Sequence, residues 1–185
     1  MIRIILFDLV GVLLFQREDY SPDETVEAID KLIGRVTDDA RFRNEVFQRF
    51  HLSSVEFDQL LRRVVDKYAV FLPIWGLLPD LRKQYRLGII NNGTYFTYPA
   101  FDDRYNLGKN FDLFVSSAQE GIRKPDARIY RLACERLEVN PAECLFMDDS
   151  MSNTREADRL GMQTVHWPNQ QVGFQRFLEW LESRT

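Results

Sequence analysis

The chain opens on a short apolar run, Ile2-Arg3-Ile4-Ile5-Leu6-Phe7, rich in β-branched residues. Such a run reads as a buried strand, and Asp8 falls where that strand ends. Gly11, three residues on, allows the chain to turn sharply. From residue 76 onward, strand-like and helix-like patterns alternate. Residues 86–90, 111–116, 144–147 and 163–167 read as four further strands, with helical patterns near 77–85, 126–137, 152–160 and 170–182. Asn140-Pro141-Ala142-Glu143 introduces the fourth strand, with Asn suited to an N-cap and Pro to a first-turn position. Alternation of this size predicts an α/β fold, a doubly wound parallel sheet with helices on both faces.

Residues 16–72 break the alternation. Ser21-Pro22-Asp23-Glu24 has capping-box spacing with Pro at the first helical position, and Ser53-Ser54-Val55-Glu56 repeats that spacing. Helical patterns follow near 22–34, 38–50 and 54–70. In the last of them Val55, Leu60, Leu61, Val64, Val65 and Tyr68 form one apolar stripe. The expected organisation is a core of residues 1–15 and 73–185 with an all-helical cap at 16–72.

In an open parallel sheet, ligands bind beyond the carboxyl ends of the strands. Asp8, Asn91-Asn92-Gly93-Thr94, Ser116-Ser117 and Asp148-Asp149 all fall at or just after such ends, and Lys124 lies just before the next helix. The pattern therefore gathers three carboxylates, two amides and one ammonium in a single crevice. Carboxylates so placed repel one another unless a cation is present, and a hard oxygen cage with open positions suits Mg²⁺. A carboxylate can also attack phosphorus to form an aspartyl phosphate. Backbone N–H groups of the Asn92-Gly93-Thr94 turn are placed to cradle the transferring oxygens.

Composition narrows the partners. With 45% apolar residues the chain can fill a core, and no apolar run approaches membrane-spanning length. The first residues show no charged segment leading into a cleavable apolar helix, so no signal peptide is expected. A net charge of −4 argues against general binding to nucleic acid or anionic membranes. Cys134 and Cys144, the only cysteines, lack metal-site or redox spacing and read as reduced core thiols of a cytoplasmic protein. His51 and His166 read as structural, and packing is the expected role for most of Phe15, Trp75, Tyr95, Phe96 and Tyr98. A monomer or weak homo-oligomer is expected.

Phe7-Asp8-Leu9-Val10-Gly11-Val12-Leu13 closely resembles the first motif of the haloacid-dehalogenase-like (HAD) hydrolases, and the resemblance covers almost the whole chain outside 16–72. In the phosphatases of that family the motif is Asp-x-Asp, a nucleophile followed by a general acid/base. Here Asp8 keeps the nucleophile and Val10 replaces the acid. Asn91-Asn92-Gly93 resembles the second motif, with Asn91 where a hydroxyl residue usually stands. Arg123-Lys124-Pro125-Asp126 matches the third, which implies that Lys124 binds phosphate and steadies Asp8. Asp148-Asp149-Ser150-Met151-Ser152-Asn153 resembles the fourth in its Asp-Asp form. The implied metal ligands are Asp8, Asp149 and the carbonyl of Val10, with Asp148 assisting and Asn153 orienting. The implied strand order, counting strands along the chain, is 5-4-1-2-3, with the cap over the carboxyl edge.

The resemblance implies a Mg²⁺-dependent phosphatase of small phosphorylated metabolites, in which Val10 leaves no obvious group to protonate the leaving oxygen. A catalytically silent protein that holds a phosphorylated ligand is the alternative. Dehalogenases of the family lack the second Asp but also lack the acid pair. Its phosphonatases recruit an insertion lysine, and neither Lys31 nor Lys67 has a supporting pattern. Receiver domains place their acid pair on the first strand, whereas here it follows the fourth.

Overall fold

The computed structural model describes residues 1–184. At its centre is a five-stranded parallel sheet of β1 (Ile4–Phe7), β4 (Arg86–Asn91), β5 (Leu113–Ser116), β6 (Cys144–Asp148) and β7 (Gln163–His166), ordered β5-β4-β1-β6-β7. This is the expected order. β1 is central, with Phe7 in register with Ile89 on one side and Met147 on the other. That register carries the residues beyond Phe7, Ile90 and Met147 to the same edge of the sheet.

Strand alternation builds two cores. Ile4, Leu6, Ile90 and Phe146 point to one face, against Ile129, Ala133 and Leu137 of α8 (Ala127–Leu137) and Ala157 of α9 (Met151–Arg159). Ile5, Phe7, Ile89 and Met147 point to the other, against Ile74 and Leu78 of α4 (Leu72–Leu81) and Phe177 of α10 (Gln170–Glu182). This second core continues without a break into the helices inserted after β1. Among the described residues, no helix is long and apolar enough to cross a membrane.

The insertion comprises α1 (Glu24–Ile33), α2 (Asp39–Phe50) and α3 (Ser54–Asp66). Ser53 and Glu56 make the expected capping box. The first helix departs from expectation: Asp23, not Ser21, is the N-cap, accepting from the Val26 N–H at 2.9 Å, so Pro22 lies outside the helix. The third helix stops at Asp66 instead of reaching 70. Tyr68–Val70 instead forms β3, an antiparallel partner of β2 (Leu14–Gln16). The helical insertion is therefore carried on a two-stranded ribbon, which the helical stripe concealed. Val55, assigned to that stripe, is 65% exposed, and Phe57 is the buried residue of the first turn.

Two further differences lie in the core. α4 begins at Leu72 with Pro73 in its first turn, several residues before the expected 77. Residues after β4 form a 3-10 turn (Tyr95–Thr97), then α5 (Tyr98–Tyr105) and α6 (Leu107–Asn110), none of which the periodicity revealed. One glycine is set by packing. Trp167, fully buried after β7, lies against Gly173 of α10, where a Cβ would come within 2.1 Å of the indole ring. In an exposed helix interior, Gly→Ala gains about 1 kcal/mol. Here overpacking outweighs that gain, and Gly173→Ala is expected to destabilise by about 1–3 kcal/mol. Urea unfolding of the two proteins checks this, and a stabilised variant would refute the seating of Trp167 on Gly173.

Candidate active site

The site begins where β1 ends. Asp8 continues the sheet through its N–H to the Met147 carbonyl at 2.8 Å, after which the chain turns, with the Leu13 and Leu14 N–H groups both donating to the Leu9 carbonyl. Gly11 sits in this turn at φ +100°, and a Cβ there would lie 2.5 Å from Asp149 Oδ2. The glycine thus serves two ends: it adopts a conformation costly to other residues, and it admits Asp149 close to the backbone.

Lys124 joins the carboxylates. Its ammonium, 1% exposed, lies 2.8 Å from Asp8 Oδ1 and 2.7 Å from Asp148 Oδ2. Asp8 Oδ1 also accepts the Leu9 N–H at 2.7 Å. Asp148, fully buried, uses its other oxygen to accept from the Ser150 N–H at 2.8 Å and from Asn153 Nδ2 at 2.9 Å. Asp149 completes the set, and one ligand oxygen from each of Asp8, Asp148 and Asp149 falls within 4.8 Å of the others. His166 Nε2 lies 3.0 Å from the Asp149 carbonyl, at the outer rim.

The amides after β4 divide in function. Asn92 grips the backbone of Lys124 from both sides, accepting its N–H at 2.8 Å and donating to its carbonyl at 3.0 Å. Its side chain therefore holds the lysine in place. Asn91 points into the cavity, and Gly93 lies behind it, since a Cβ there would come within 2.7 Å of Asn91 Nδ2. The Gly93 N–H donates to Ser117 Oγ at 3.0 Å, while Ser116 Oγ donates to the Gly93 carbonyl at 2.7 Å. Ser116 and Ser117 thus brace the loop from behind instead of facing the crevice. None of Phe15, Trp75, Tyr95, Phe96 and Tyr98 lines the cavity.

A cavity of about 300 Å³ covers this floor. Asp8, Asn91, Lys124 and Asp149 lie at its base, and Val10, 37% exposed, forms part of the wall. Its roof comes from residues that the sequence did not single out for the site: Asp30 and Ile33 of α1, Val64 of α3, and Phe101 of α5, with Tyr68 from the ribbon. The insertion is fastened over the floor by Asp39, which accepts from Thr94 Oγ1 and the Tyr95 N–H, and by Arg123, which donates to the Gly34 carbonyl at 3.1 Å. Asp30 and Asp39 carried no motif, because they act through a seam formed only on folding.

Charge is the site's dominant strain. Burial, ahead of the neighbouring carboxylates and against the pull of Lys124, raises Asp8 from the ordinary carboxylate range to about 7. Burial followed by repulsion from Asp148 raises Asp149 as well. Burial alone would lower Lys124, but the attraction and hydrogen bonds of Asp8 and Asp148 more than offset it and hold it above its usual value. Three carboxylates against one ammonium leave two negative charges, which suits a divalent cation on oxygen ligands.

A cluster of carboxylates at the strand ends of a doubly wound sheet, under an inserted cap, defines a class of α/β hydrolase. The chain matches the model of the haloacid dehalogenase-like hydrolases over residues 2–161, and it belongs to that family. It is 25% identical over 180 residues to the sesquiterpene phosphatase astK of Aspergillus oryzae, covering 87% of each chain. It is 47% identical over 57 residues to mouse acyl-CoA dehydrogenase family member 10, which covers 31% of this chain and 5% of that protein. The chain thus spans only a small part of some curated relatives, and other relatives are (S)-2-haloacid dehalogenases. Among solved structures, HAD family enzyme bt-2542 of Bacteroides thetaiotaomicron, in complex with magnesium and inorganic phosphate, superposes with a TM-score of 0.69 at 20% identity, covering 90% of this chain and 94% of that one.

Metal binding has a signed pH dependence. An acid raised from 3.8 toward 7 makes the folded chain hold a proton that the unfolded chain has lost, so this group's contribution to stability falls as pH rises between those values. A divalent cation held by these acids would compete with that proton, and Mg²⁺ is the test ion. Its stabilisation, read as the shift in melting temperature, is expected to be larger at pH 8 than at pH 5.5 and to vanish in Asp149→Ala. A shift equal at both pH values and unchanged in the variant would refute the metal site.

Proposed function

We propose that the chain is a Mg²⁺-dependent phosphatase of small phosphorylated metabolites, with Asp8 as nucleophile. The observation that carries this reading is the placement of Asp8 between Lys124 and the Asp148-Asp149 pair, at the floor of a roofed cavity. Both protein donors to Asp8 act on Oδ1, the Leu9 N–H and Lys124 Nζ, which leaves Oδ2 to attack. Attack forms the Oδ2–phosphorus bond and breaks the ester bond, so the alcohol oxygen leaves with the bonding pair. Water then attacks the aspartyl phosphate at phosphorus, releasing phosphate and restoring the Asp8 carboxylate. Lys124 neutralises charge on the transferring group and opposes the protonation of Asp8 that burial favours, while Asn91 donates to a phosphate oxygen. Asp8, Asp149 and the Val10 carbonyl would hold Mg²⁺, with Asp148 assisting from its buried position. The ion would supply Lewis-acid stabilisation of charge on the phosphoryl oxygens.

Asp148 and Asn153 position the others. Asn153 and Ser150 fix one oxygen of Asp148, which presents the other to Lys124. The acid pair speaks against a dehalogenase, whose carbon ester needs no metal. Lys67 does not fit a Schiff-base role, because its ammonium is bonded to Asp30 at 2.8 Å and to Glu27 at 2.9 Å. Burial lowers its pKa, but those bonds more than offset the effect and keep it protonated.

The missing acid sets the rate. A general acid is typically worth about 10²–10⁴-fold, so turnover survives its loss but depends on the leaving group. Aryl and acyl phosphates are expected to outpace unsubstituted alkyl phosphates. Val10→Asp places a carboxylate on the cavity wall and not in the core, so it is expected to flatten this dependence and raise alkyl-phosphate turnover by up to about 10²-fold. Asp8→Asn is expected to abolish turnover in both backgrounds. Steady-state kinetics across a series of leaving groups check this. Turnover that persists in Asp8→Asn would place the nucleophile elsewhere, and phosphate-ester binding without Mg²⁺-dependent turnover would identify a silent binder.

A further inference from the structure

We infer that Asp30 selects the substrate, and that the preferred class is the phosphate monoester of a small amino alcohol. The inference rests on the phosphatase reading above and concerns the other end of the same cavity. Among the described residues Asp30 is the one carboxylate in the roof. Lys67 Nζ at 2.8 Å and Tyr68 OH at 2.7 Å both donate to its Oδ2, so those bonds orient the group and leave Oδ1 without a protein donor. Lys67 is shared between Asp30 and Glu27, of which only Asp30 lines the cavity. A cationic group on the substrate would give Asp30 Oδ1 a donor of its own.

The remaining lining limits the substrate further. Among the described residues Lys124 is the only cation that lines the cavity, and it is bonded to Asp8 and Asp148. A second phosphate or a carboxylate on the substrate would meet Asp30, whose neighbouring cation Lys67 is already engaged by Asp30 and Glu27, at the cost of a desolvated like-charge contact. Much of the rest of this lining is apolar, with Val10 on the wall and Ile33, Val64 and Phe101 in the roof beside Asp30. A volume near 300 Å³ lies at the lower end for small-molecule sites. Phosphate at the floor, a short aliphatic spacer along the wall and an ammonium at Asp30 satisfy each of these features. An electron-withdrawing ammonium close to the ester carbon also lowers the pKa of the leaving alcohol, which suits a site with Val10 where an acid would stand.

Binding and turnover separate the two effects. With an aryl phosphate as the reporter substrate, 2-aminoethylphosphonate is expected to inhibit the wild-type protein at least about tenfold more strongly than propylphosphonate, and phosphonoacetate more weakly than either. These probes have no leaving group, so the order reports recognition alone. In turnover, the kcat/KM ratio of 2-aminoethyl phosphate to propyl phosphate is expected to fall at least about tenfold in Asp30→Asn. The inductive part of the preference is a property of the ester and stays. Equal inhibition by the two neutral-tail and cationic-tail phosphonates, or a kcat/KM ratio unchanged in Asp30→Asn, would overturn the inference. The inhibition order needs no variant and holds the inference to account even where Asp30→Asn fails to fold. Wild-type protein that turns over no phosphate ester, the aryl phosphate included, would instead overturn the phosphatase reading on which the inference rests.

Discussion

The rest of this structure depends on one ammonium among three carboxylates. Lys124 is buried with Asp8 and Asp148 on either side, and neither acid would tolerate that burial without it. An isolated buried charge costs several kcal/mol, and the cost is met only where geometry and further hydrogen bonds are both good. The surrounding chain supplies them. Asn92 clamps the Lys124 backbone, Asn153 and Ser150 hold Asp148, and the Leu9 N–H holds Asp8. These groups come from the carboxyl ends of three strands, β1, β4 and β6, or from the helix start after β6. The parallel sheet is what brings those ends together with Lys124.

Even so, the balance is incomplete. Lys124 offsets only one of three acids, and Gly11 lets the third, Asp149, lie against the turn after β1. A side chain at position 11 would relieve the crowding by pushing Asp149 away. The glycine preserves the repulsion, and repulsion of this kind is what makes a site avid for a small divalent ion. The fold keeps Asp149 more exposed than Asp148, so the two neighbouring acids differ in kind. One is fixed in the interior by three donors, and the other stays open to a ligand.

The core was legible in the sequence because burial leaves a period. β1, β4, β6 and β7 and the helices α4, α8, α9 and α10 follow from apolar runs and alternation, the strand ends gather Asp8, Lys124, Asp148 and Asp149 at one edge, and the resemblance supplied the strand order. Legibility failed where a local pattern admitted two geometries. Tyr68 to Val70 continue the apolar content of α3, yet pair with Leu14 to Gln16 across more than fifty residues of sequence. Pro22 suits a first turn, but Asp23 is the better acceptor for the free N–H groups and captures the cap. The roof of the cavity was hidden for the same reason. Asp30 is an acid on an amphipathic helix, ordinary in sequence, and only the arrival of Lys67 and Tyr68 from the far side of the insertion distinguishes it.

In the proposed reading, floor and roof divide the work between chemistry and choice. At the floor the groups are tightly tied to one another, and any change there alters the charge on which the site is built. In the roof, Asp30 is linked to the floor only through the cavity it shares with it and through the seam at Asp39 and Arg123. That separation lets the insertion change its ligand without disturbing Asp8. It also explains how the chain retains a coherent site with Val10 in place of an acid. In the proposed reaction, what Val10 removes is proton transfer, a function that no other residue of the charge cluster relies on. Lys124, Asp148, Asn92 and Asn153 keep their bonds regardless, so the loss leaves the geometry of attack in place and shifts the burden of departure onto the leaving group.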